Sequence, residues 1–256
     1  MSVGFAPTLL ADRTYLVTGA SSGIGRVVAA HIAACGGTVL ASGRNVERLQ
    51  AVVAELGPGA HAAVPMALED ADQVADWCKD LATARQGIDG IFHGAGMELV
   101  RPIRLIKTAQ LQAVFAASVS AAFGLARAAA SKGVLREPGA ALVFMSSVAG
   151  LRGQPGLSAY SAAKAATDGL VRSLAIELAP RGVRANSIAA GAVRTEMHER
   201  LTSSLGPEGV ADYERRHPLG FGAPADVANA AVYLLSSLSR WITGATWVVD
   251  GGYTAR

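Results

Sequence analysis

The strongest candidate catalytic pair in the sequence is a tyrosine and a lysine four positions apart, Tyr160 and Lys164. Residues four apart on a helix lie on one face, so the phenol and the ammonium would be neighbours. A free tyrosine has a pKa of about 10, and a nearby cation lowers it toward a useful range. The spacing therefore predicts that Tyr160 transfers a proton and that Lys164 tunes its pKa. The alternative is a surface pair that only stabilises a helix.

Ser147 lies thirteen residues before Tyr160, at the end of the apolar run 141–147. Such a run is typical of a strand buried on both faces. Because ligands bind at the carboxyl ends of strands in open α/β sheets, we expect the Ser147 hydroxyl to hydrogen-bond a substrate oxygen. The alternative is a serine that caps a turn.

A glycine-rich segment, 18–25 (TGASSGIG), joins the first β-rich run to a helical run. Gly19 permits a tight turn, Gly23 lets the backbone approach a pyrophosphate, and Gly25 lets the helix pack closely on the strand. Free N–H groups at a helix start stabilise phosphate charge. This context predicts a dinucleotide-binding turn, although an ordinary glycine-rich turn can share the spacing.

The residues after the second predicted strand indicate which dinucleotide would bind. NAD-binding turns carry an acidic residue about 20 residues beyond the glycines, which binds the ribose 2′-hydroxyl. Ser42-Gly43-Arg44-Asn45 stands at that position here, and no acid precedes Glu47. The guanidinium of Arg44 can instead pair with a 2′-phosphate. The sequence therefore favours NADP over NAD, the alternative being a solvated loop arginine.

These residues need a scaffold whose strands all end at one edge of a sheet. The pattern predicts strands at 14–19, 38–42, 60–66, 88–94, 141–147, 183–190 and 246–250, and helices at 23–35, 46–56, 70–85, 108–132, 158–179, 194–217 and 225–237. Strands separated by helices require crossover connections and lie parallel, which predicts a doubly wound α/β (Rossmann) fold. We expect one domain over 1–256, with the polar segment 194–217 as a substrate lid.

Composition excludes several other classes of protein. The net charge is +3 and the basic residues are scattered, so no nucleic-acid patch is expected. The histidines and cysteines lack metal-ligand spacing, and Cys35 and Cys78 are expected to be core thiols. No apolar stretch looks long enough for a transmembrane helix, and no secretory signal is recognised, so a cytoplasmic location is expected.

Together these motifs resemble the short-chain dehydrogenase/reductase family, in its short single-domain branch, over about 12–253. The resemblance rests on 18–25, on Ser147 with the Tyr160–Lys164 segment, on Asn186-Ser-Ile, and on Ile242-Thr-Gly with Val249-Asp-Gly-Gly252. The family implies a seven-stranded parallel sheet, hydride transfer to or from a nicotinamide, and a homotetramer or homodimer.

The resemblance also implies cofactor contacts. Lys164 would bind the nicotinamide ribose, and Val193 and Thr195 would hold the carboxamide and the adjacent phosphate. The full expected set is Gly19, Ser21, Ser22, Gly23, Ile24, Gly25, Ser42, Arg44, Leu68, Gly94, Ala95, Tyr160, Lys164, Val193 and Thr195.

Four positions depart from the family pattern. His93-Gly94-Ala95-Gly96 replaces Asn-Asn-Ala-Gly, Ala67 replaces an aspartate near the adenine, and Ala190-Gly191 replaces Pro-Gly. The helix asparagine that completes the family's catalytic set aligns with Ser118. In relatives that asparagine helps hold a water linking the lysine to solvent. We expect Ser118 to maintain this relay with one additional water.

The expected function is an NADP(H)-dependent oxidoreductase that interconverts a ketone and a secondary alcohol. Resemblance to acyl-carrier-protein reductases suggests a 3-oxoacyl thioester as substrate. A dehydrogenase of sugars, polyols or steroid alcohols is the alternative enzyme, and a non-catalytic NADP-binding regulator is the alternative outside enzymes. Substrate choice is expected to depend on the loop 97–107 (with Met97, Glu98, Arg101 and Arg104), on 150–157 and on the lid.

Overall fold

Seven parallel strands form one sheet in the computed structural model, which describes residues 3–203 and 205–255. The strands are β1 (Thr14–Thr18), β2 (Thr38–Ser42), β3 (Ala62–Ala63), β4 (Gly90–His93), β5 (Ala141–Ser147), β6 (Arg184–Ala190) and β7 (Thr246–Val249). Their order across the sheet is β3-β2-β1-β4-β5-β6-β7. The order reverses between β1 and β4, which is where an open α/β sheet forms its ligand crevice.

Helices cover both faces of the sheet. They are α1 (Gly23–Ala34), α2 (Val46–Glu55), α3 (Ala71–Ala84), α4 (Thr108–Phe115), α5 (Ala121–Ala130), α6 (Ser158–Leu178), α7 (Glu196–Thr202), α8 (Pro207–Arg215) and α9 (Pro224–Leu235). Helices α1, α2 and α9 contribute to one core cluster, and α3, α5 and α6 contribute to the other. The predicted doubly wound α/β fold is confirmed.

Strand β5 illustrates why the sheet is buried on both sides. Ala141, Val143 and Met145 belong to the core cluster on the α1 and α9 face. Leu142 and Phe144, which alternate with them, belong to the cluster on the α5 and α6 face. A strand has a side-chain period of two, so an unbroken apolar run supplies both cores and holds Ser147 firmly at the strand end.

The third strand is shorter than the predicted 60–66. Only Ala62–Ala63 pair with β2, at the edge of the sheet. The backbone N–H groups of Val64 and Met66 still bond to Ala41 and Gly43, at 2.8 and 3.2 Å. Pro65 between them has no N–H to donate, which limits regular pairing.

The predicted helix 108–132 is not regular throughout. A π-helical turn at Ala116–Ser120, hereafter the π turn, separates α4 from α5. This run, Thr108–Ala130, is long and apolar enough to cross a membrane by length and composition, contrary to the sequence expectation, but half of its most apolar window is buried inside the protein. Helix α5 packs on α3 and α6, so we interpret the run as a core helix.

The segment 194–217, predicted to be a substrate lid, contains two helices, α7 and α8, rather than one. Gly206 and Pro207 begin α8 as a new helix, with the proline at its first position. Rings from both helices meet in an aromatic cluster that also reaches the C-terminal turn, formed by His198, Tyr213, His217, Phe221 and Tyr253.

Cys35 and Cys78 are both free and buried, as expected of core thiols.

Candidate active site

The carboxyl ends of the strands bring the predicted site residues to one edge of the sheet. Thr18 pairs in register with Ser42 on one side and with His93 on the other. Ser147 ends β5 opposite Ala190 of β6. Because all strands are parallel, the loops that follow these residues line a single crevice.

The glycine-rich turn leaves no room for larger residues. Gly19 has a φ of +69°, and a Cβ there would lie 2.7 Å from the Ala95 nitrogen. Gly23 has a φ of +53°, and a Cβ on it would lie 3.4 Å from the Cγ2 of Thr195. The turn, the loop after β4 and the start of α7 therefore meet, which brings Gly94, Ala95 and Thr195 to the glycine loop as the resemblance implies.

Several polar groups around this turn are available to a ligand. Ser22 caps α1, yet its side chain makes no hydrogen bond to the helix. The Oγ of Ser42 is buried and has no hydrogen-bond partner among the described residues. The side chain of Ser21 lies beside Gly43, at the end of β2, with Ile24 following in the first turn of α1. Leu68 and Val193 are buried apolar residues.

Arg44 is exposed just beyond β2 and makes no hydrogen bond or ion pair within residues 3–203 and 205–255. Its neighbours are engaged: Arg26 pairs with Glu55, and Arg48 lies 3.3 Å from Glu196. Arg44 is therefore the guanidinium in this group that is available to an anion.

Tyr160 lies in the first turn of α6 and Lys164 one turn later. The Lys164 Nζ is 5.5 Å from the centre of the Tyr160 ring and donates a 2.8 Å hydrogen bond to the backbone oxygen of Met145 in β5. One further turn along α6, the buried Asp168 accepts hydrogen bonds from Ser146 and Ser187. These bonds fasten α6 to the strands and fix the position of the lysine.

The pKa of Tyr160 differs from the lowered value that its spacing from Lys164 predicts. Burial raises the pKa of Tyr160 and the carboxylate of Glu98 raises it further, while the hydroxyl of Ser147 acts in the opposite direction. Burial also lowers the pKa of Lys164 to about 8, against the opposing effects of Asp168 and Glu98. The predicted lowering of the Tyr160 pKa is therefore not observed in this structure, because desolvation and the carboxylate of Glu98 both raise it.

Ser118 lies in the π turn and is 1% exposed. A Cβ built on Gly96 would be 3.4 Å from the Ser118 Oγ and 3.5 Å from the Lys164 Nζ. The structure thus brings Ser118 and Lys164 together beside Gly96, consistent with the predicted alignment of Ser118 with the family's asparagine.

Glu98 and Tyr213 add polar groups that face the catalytic tyrosine. Burial raises the pKa of Glu98 to about 7, although Arg200 and Lys164 oppose this shift. The carboxylate makes no hydrogen bond or ion pair within the described ranges 3–203 and 205–255. Tyr213, from α8, interacts electrostatically with both Glu98 and Tyr160. Sequence reasoning named Glu98 as a specificity candidate but missed Tyr213, because no spacing motif links the lid to the site.

Two other specificity candidates, Met97 and Arg104, have exposed side chains. Within residues 3–203 and 205–255, no group of three or more His, Cys, Asp or Glu side chains could hold a metal ion.

Comparison with known proteins agrees with this architecture. A family model described as enoyl-(acyl carrier protein) reductase matches residues 19–254. A 3-oxoacyl-[acyl-carrier-protein] reductase of Aquifex aeolicus is 33% identical over 95% of this chain and 98% of its own.

Two solved structures are similarly close. A candidate NAD(P)-dependent gluconate 5-dehydrogenase of Beutenbergia cavernae, with NADP bound at low occupancy, is 33% identical with a TM-score of 0.89, over 98% of this chain and 100% of its own. A short-chain type dehydrogenase/reductase of Mycobacterium ulcerans is 33% identical with a TM-score of 0.89, over 96% and 91%. With this fold, this crevice and these relatives, the chain belongs to the short-chain dehydrogenase/reductase family of oxidoreductases.

Proposed function

We propose that this chain interconverts a ketone and a secondary alcohol with NADP(H), using Ser147, Tyr160 and Lys164 as catalytic residues. The observation that carries the proposal is the convergence of these three side chains at the crevice, next to the glycine-rich turn. A nicotinamide bound there supplies or accepts the hydride. Ser147 donates a hydrogen bond to the substrate oxygen, Tyr160 transfers the proton to or from it, and Lys164 stabilises the phenolate and orients the ribose.

The residues at the crevice fit a dinucleotide. Gly19 and Gly25 let the turn pack closely on the loop after β4 and on α1, since a Cβ on either would collide with backbone atoms. The first N–H groups of a helix have no partner within the helix and are available to a phosphate. The unpartnered Ser42 hydroxyl and the exposed Arg44 extend this site toward the adenine ribose. The NADP in the Beutenbergia cavernae structure supports the phosphorylated cofactor.

A spectrophotometric screen tests this function. Purified protein is expected to consume NADPH, followed at about 340 nm, with at least one ketone in a panel that includes acetoacetyl-CoA and 5-ketogluconate. Absence of turnover in both directions, together with tight NADPH binding, would favour the non-catalytic regulator instead.

For the substrate, the relatives support a 3-oxoacyl thioester. The Aquifex aeolicus protein is a 3-oxoacyl-[acyl-carrier-protein] reductase, and it covers nearly the whole chain. A thioester of this kind presents a ketone flanked by apolar carbon. Acetoacetyl-CoA is the corresponding probe.

Glu98 favours a second candidate, a hydroxylated ketone or alcohol such as a sugar acid or polyol. Its half-buried carboxylate and the hydroxyl of Tyr213 would accept and donate hydrogen bonds to substrate hydroxyls, whereas an acyl chain would leave both groups unpaired. The gluconate dehydrogenase assignment of the Beutenbergia cavernae protein agrees with this candidate. Comparing kcat/KM for hydroxyacetone and 2-butanone, which differ only by a hydroxyl in place of a methyl, separates the candidates.

We also propose that residues 1–256 act as one domain with 194–217 as its lid, in a cytoplasmic homotetramer or homodimer that binds neither membrane nor nucleic acid. Exposed apolar side chains support self-association: Phe123 of α5 and Ile176 of α6 are 47% and 77% exposed. An apolar groove runs between these two helices.

A further inference from the structure

The imidazole of His217 lies between the last turn of α8 and the segment that follows β6. His217 is buried, with 3% of its surface exposed. Its Nδ1 is 3.2 Å from the backbone oxygen of Tyr213 in α8, and its Nε2 is 3.2 Å from the backbone nitrogen of Ala192. One side chain therefore connects a helix of the proposed lid with the chain that leaves the sheet at the crevice.

The two backbone partners define which ring nitrogen of His217 carries the proton. A backbone N–H can only donate, so Nε2 accepts the hydrogen bond from Ala192. A backbone carbonyl can only accept, so Nδ1 is protonated and donates to the oxygen of Tyr213. Both bonds together require the neutral ring with its proton on Nδ1.

Aromatic neighbours fix the plane of this ring. His217 stacks on Tyr253 with 4.7 Å between the ring centres. The rings of Tyr213 and Phe221 meet it at steep angles, at 5.3 and 5.4 Å. Arg152 lies over the other ring of the stack, that of Tyr253, and donates a 2.9 Å hydrogen bond to the backbone oxygen of the same residue. Packing thus orients the faces of the His217 ring, while the two hydrogen bonds use its edge.

The segment that His217 contacts is extended beyond β6. The oxygen of Ala192 accepts a 3.0 Å hydrogen bond from the N–H of Gly222, and the N–H of Arg194 donates one of 2.9 Å to the Gly222 oxygen. In this parallel bridge the groups of Ala192 and Arg194 point to one side, so the N–H and C=O of Val193 point to the other. His217 and Gly222 therefore hold the segment from the side opposite to the Val193 peptide groups.

Those peptide groups of Val193 face the glycine-rich turn. The Thr195 hydroxyl donates a 3.2 Å hydrogen bond to the Val193 oxygen, and a Cβ on Gly23 would lie 3.4 Å from the Thr195 Cγ2. A backbone N–H and C=O complement the oxygen and the NH₂ of a carboxamide, and a carbonyl oxygen can accept a second hydrogen bond. This is the part of the crevice where the proposed function places the nicotinamide.

The adenine half of the proposed cofactor site is remote from His217. Ser42 and Arg44, which the proposed function assigns to the adenine ribose, follow β2. In the sheet, β1, β4 and β5 lie between β2 and β6. A change at His217 can therefore affect the two halves of the cofactor differently.

We propose that His217 is a positioning residue for the nicotinamide half of the cofactor, and that it acts by holding the backbone of Ala192 against α8. The inference rests on the proposed function, in which Val193 binds the carboxamide. Because Val193 follows Ala192 directly, the hydrogen bond to Nε2 fixes the position of its N–H and C=O. Because the same ring bonds to α8, the proposed lid and the carboxamide site move together.

Binding of NADPH beside adenosine 2′,5′-bisphosphate tests this role. The bisphosphate has the adenine and the 2′-phosphate but no nicotinamide, so it measures only the remote half of the site. His217→Phe keeps an aromatic ring in the stack and removes both of these hydrogen bonds. We expect the NADPH Kd of His217→Phe to rise about ten-fold and the bisphosphate Kd to stay within about two-fold of the wild type. Isothermal titration calorimetry measures both.

A matched pair of amide variants separates the hydrogen bond from the aromatic packing. Both variants lose the ring, but the amide oxygen of Gln reaches the Nε2 position, whereas that of Asn reaches only the Nδ1 position. His217→Gln is expected to keep an NADPH Kd within about three-fold of the wild type, and His217→Asn to weaken it about ten-fold. With whichever of acetoacetyl-CoA or 5-ketogluconate the wild type reduces, kcat should follow the same order.

Three results would overturn the inference. A wild-type NADPH Kd in His217→Phe would show that ring packing alone is sufficient, and equal NADPH affinities of His217→Gln and His217→Asn would show that the Ala192 bond is irrelevant. Equal weakening of NADPH and the bisphosphate would show a general structural role. The Gln and Asn comparison decides the question even if His217→Phe does not fold.

Failure of the proposed function has a different outcome. A wild-type protein that binds NADPH but reduces no ketone would contradict that function. The binding measurements on the His217 variants require no turnover, so they would still decide whether His217 positions the nicotinamide half.

Discussion

At the scale of single residues, the site combines a half-buried tyrosine, Tyr160, with a carboxylate that opposes its ionisation. Glu98 raises the pKa of both Tyr160 and Tyr213, so the charge on this one residue affects the whole crevice. Its own pKa of about 7 means that Glu98 changes charge within the physiological range. The catalytic pH profile and the stability of the protein should therefore both depend on the ionisation of Glu98.

Glu98→Gln is expected to stabilise the protein at high pH. The pKa of Glu98 is raised in the folded state, so its favourable contribution is complete below its ordinary pKa and is lost as the pH rises through about 7. Each pKa unit corresponds to about 1.4 kcal/mol, so the shift corresponds to roughly 3–4 kcal/mol at most. Melting temperatures between pH 5 and 8 should diverge in favour of the variant as the pH rises.

The exposed Glu208 of α8 provides the control for this comparison. Glu208→Gln should show no pH-dependent difference from the wild type. Parallel melting curves for Glu98→Gln and the wild type across this range would show that Glu98 keeps an ordinary pKa.

Arg44→Ala is expected to change cofactor preference. A charge-assisted pair with a 2′-phosphate is worth about 1.5–3 kcal/mol, so NADPH affinity should fall roughly ten-fold to a hundred-fold while NADH affinity changes little. Fluorescence titration with both cofactors measures this. Arg48→Ala, in which the lost guanidinium was paired with Glu196, should have a smaller effect. Tighter binding of NADH than NADPH by the wild type would refute the NADP assignment.

At the scale of elements, aromatic packing holds the two helices of the proposed lid, α7 and α8. The Phe221 ring lies 4.5 Å from that of His198 on α7 and 5.3 Å from that of Tyr213 on α8, centre to centre. Phe221 is 7% exposed. Phe221 therefore packs against both helices and links them to the segment before α9. Tyr213 belongs to the same cluster and reaches the crevice from it.

Phe221→Ala should loosen the lid. Truncating a buried phenylalanine costs about 3–5 kcal/mol, and here the loss falls on α7 and α8 rather than on the sheet. We expect a several-fold higher KM for the ketone and faster hydrogen exchange over 196–215, with Phe221→Leu close to the wild type. Unchanged exchange over the lid in Phe221→Ala would show that the cluster does not hold it.

The order of the elements was predictable from sequence, because apolar runs such as 141–147 and amphipathic helices carry strong periodic signals. The π turn was not predictable, since one inserted residue leaves the apolar pattern of 108–132 almost unchanged. The length of β3 is limited by Pro65 and by the position of the strand at the sheet edge, and that position is known only once the sheet has been assembled. Catalytic candidates followed from local spacing, whereas Tyr213 reaches the site through tertiary packing alone.

At the scale of the whole molecule, the groove between α5 and α6 is expected to be covered by a second copy of the chain. Phe123→Arg places a charge in this apolar groove and should lower the mass measured by light scattering. Val46→Arg, at an exposed apolar residue of α2 away from the groove, should leave the mass unchanged. A monomeric wild-type protein would contradict the proposed assembly.

The decisive test of Tyr160 as the proton donor is the turnover of Tyr160→Phe, measured together with its NADPH affinity. The ring packing of Tyr160 is preserved and only the phenol is lost, and proton transfer of this kind contributes typically about 100-fold to 10,000-fold. We predict a loss of ketone reduction in that range with an NADPH Kd close to the wild-type value. A variant that keeps more than about a tenth of wild-type turnover would show that Tyr160 is not the proton donor.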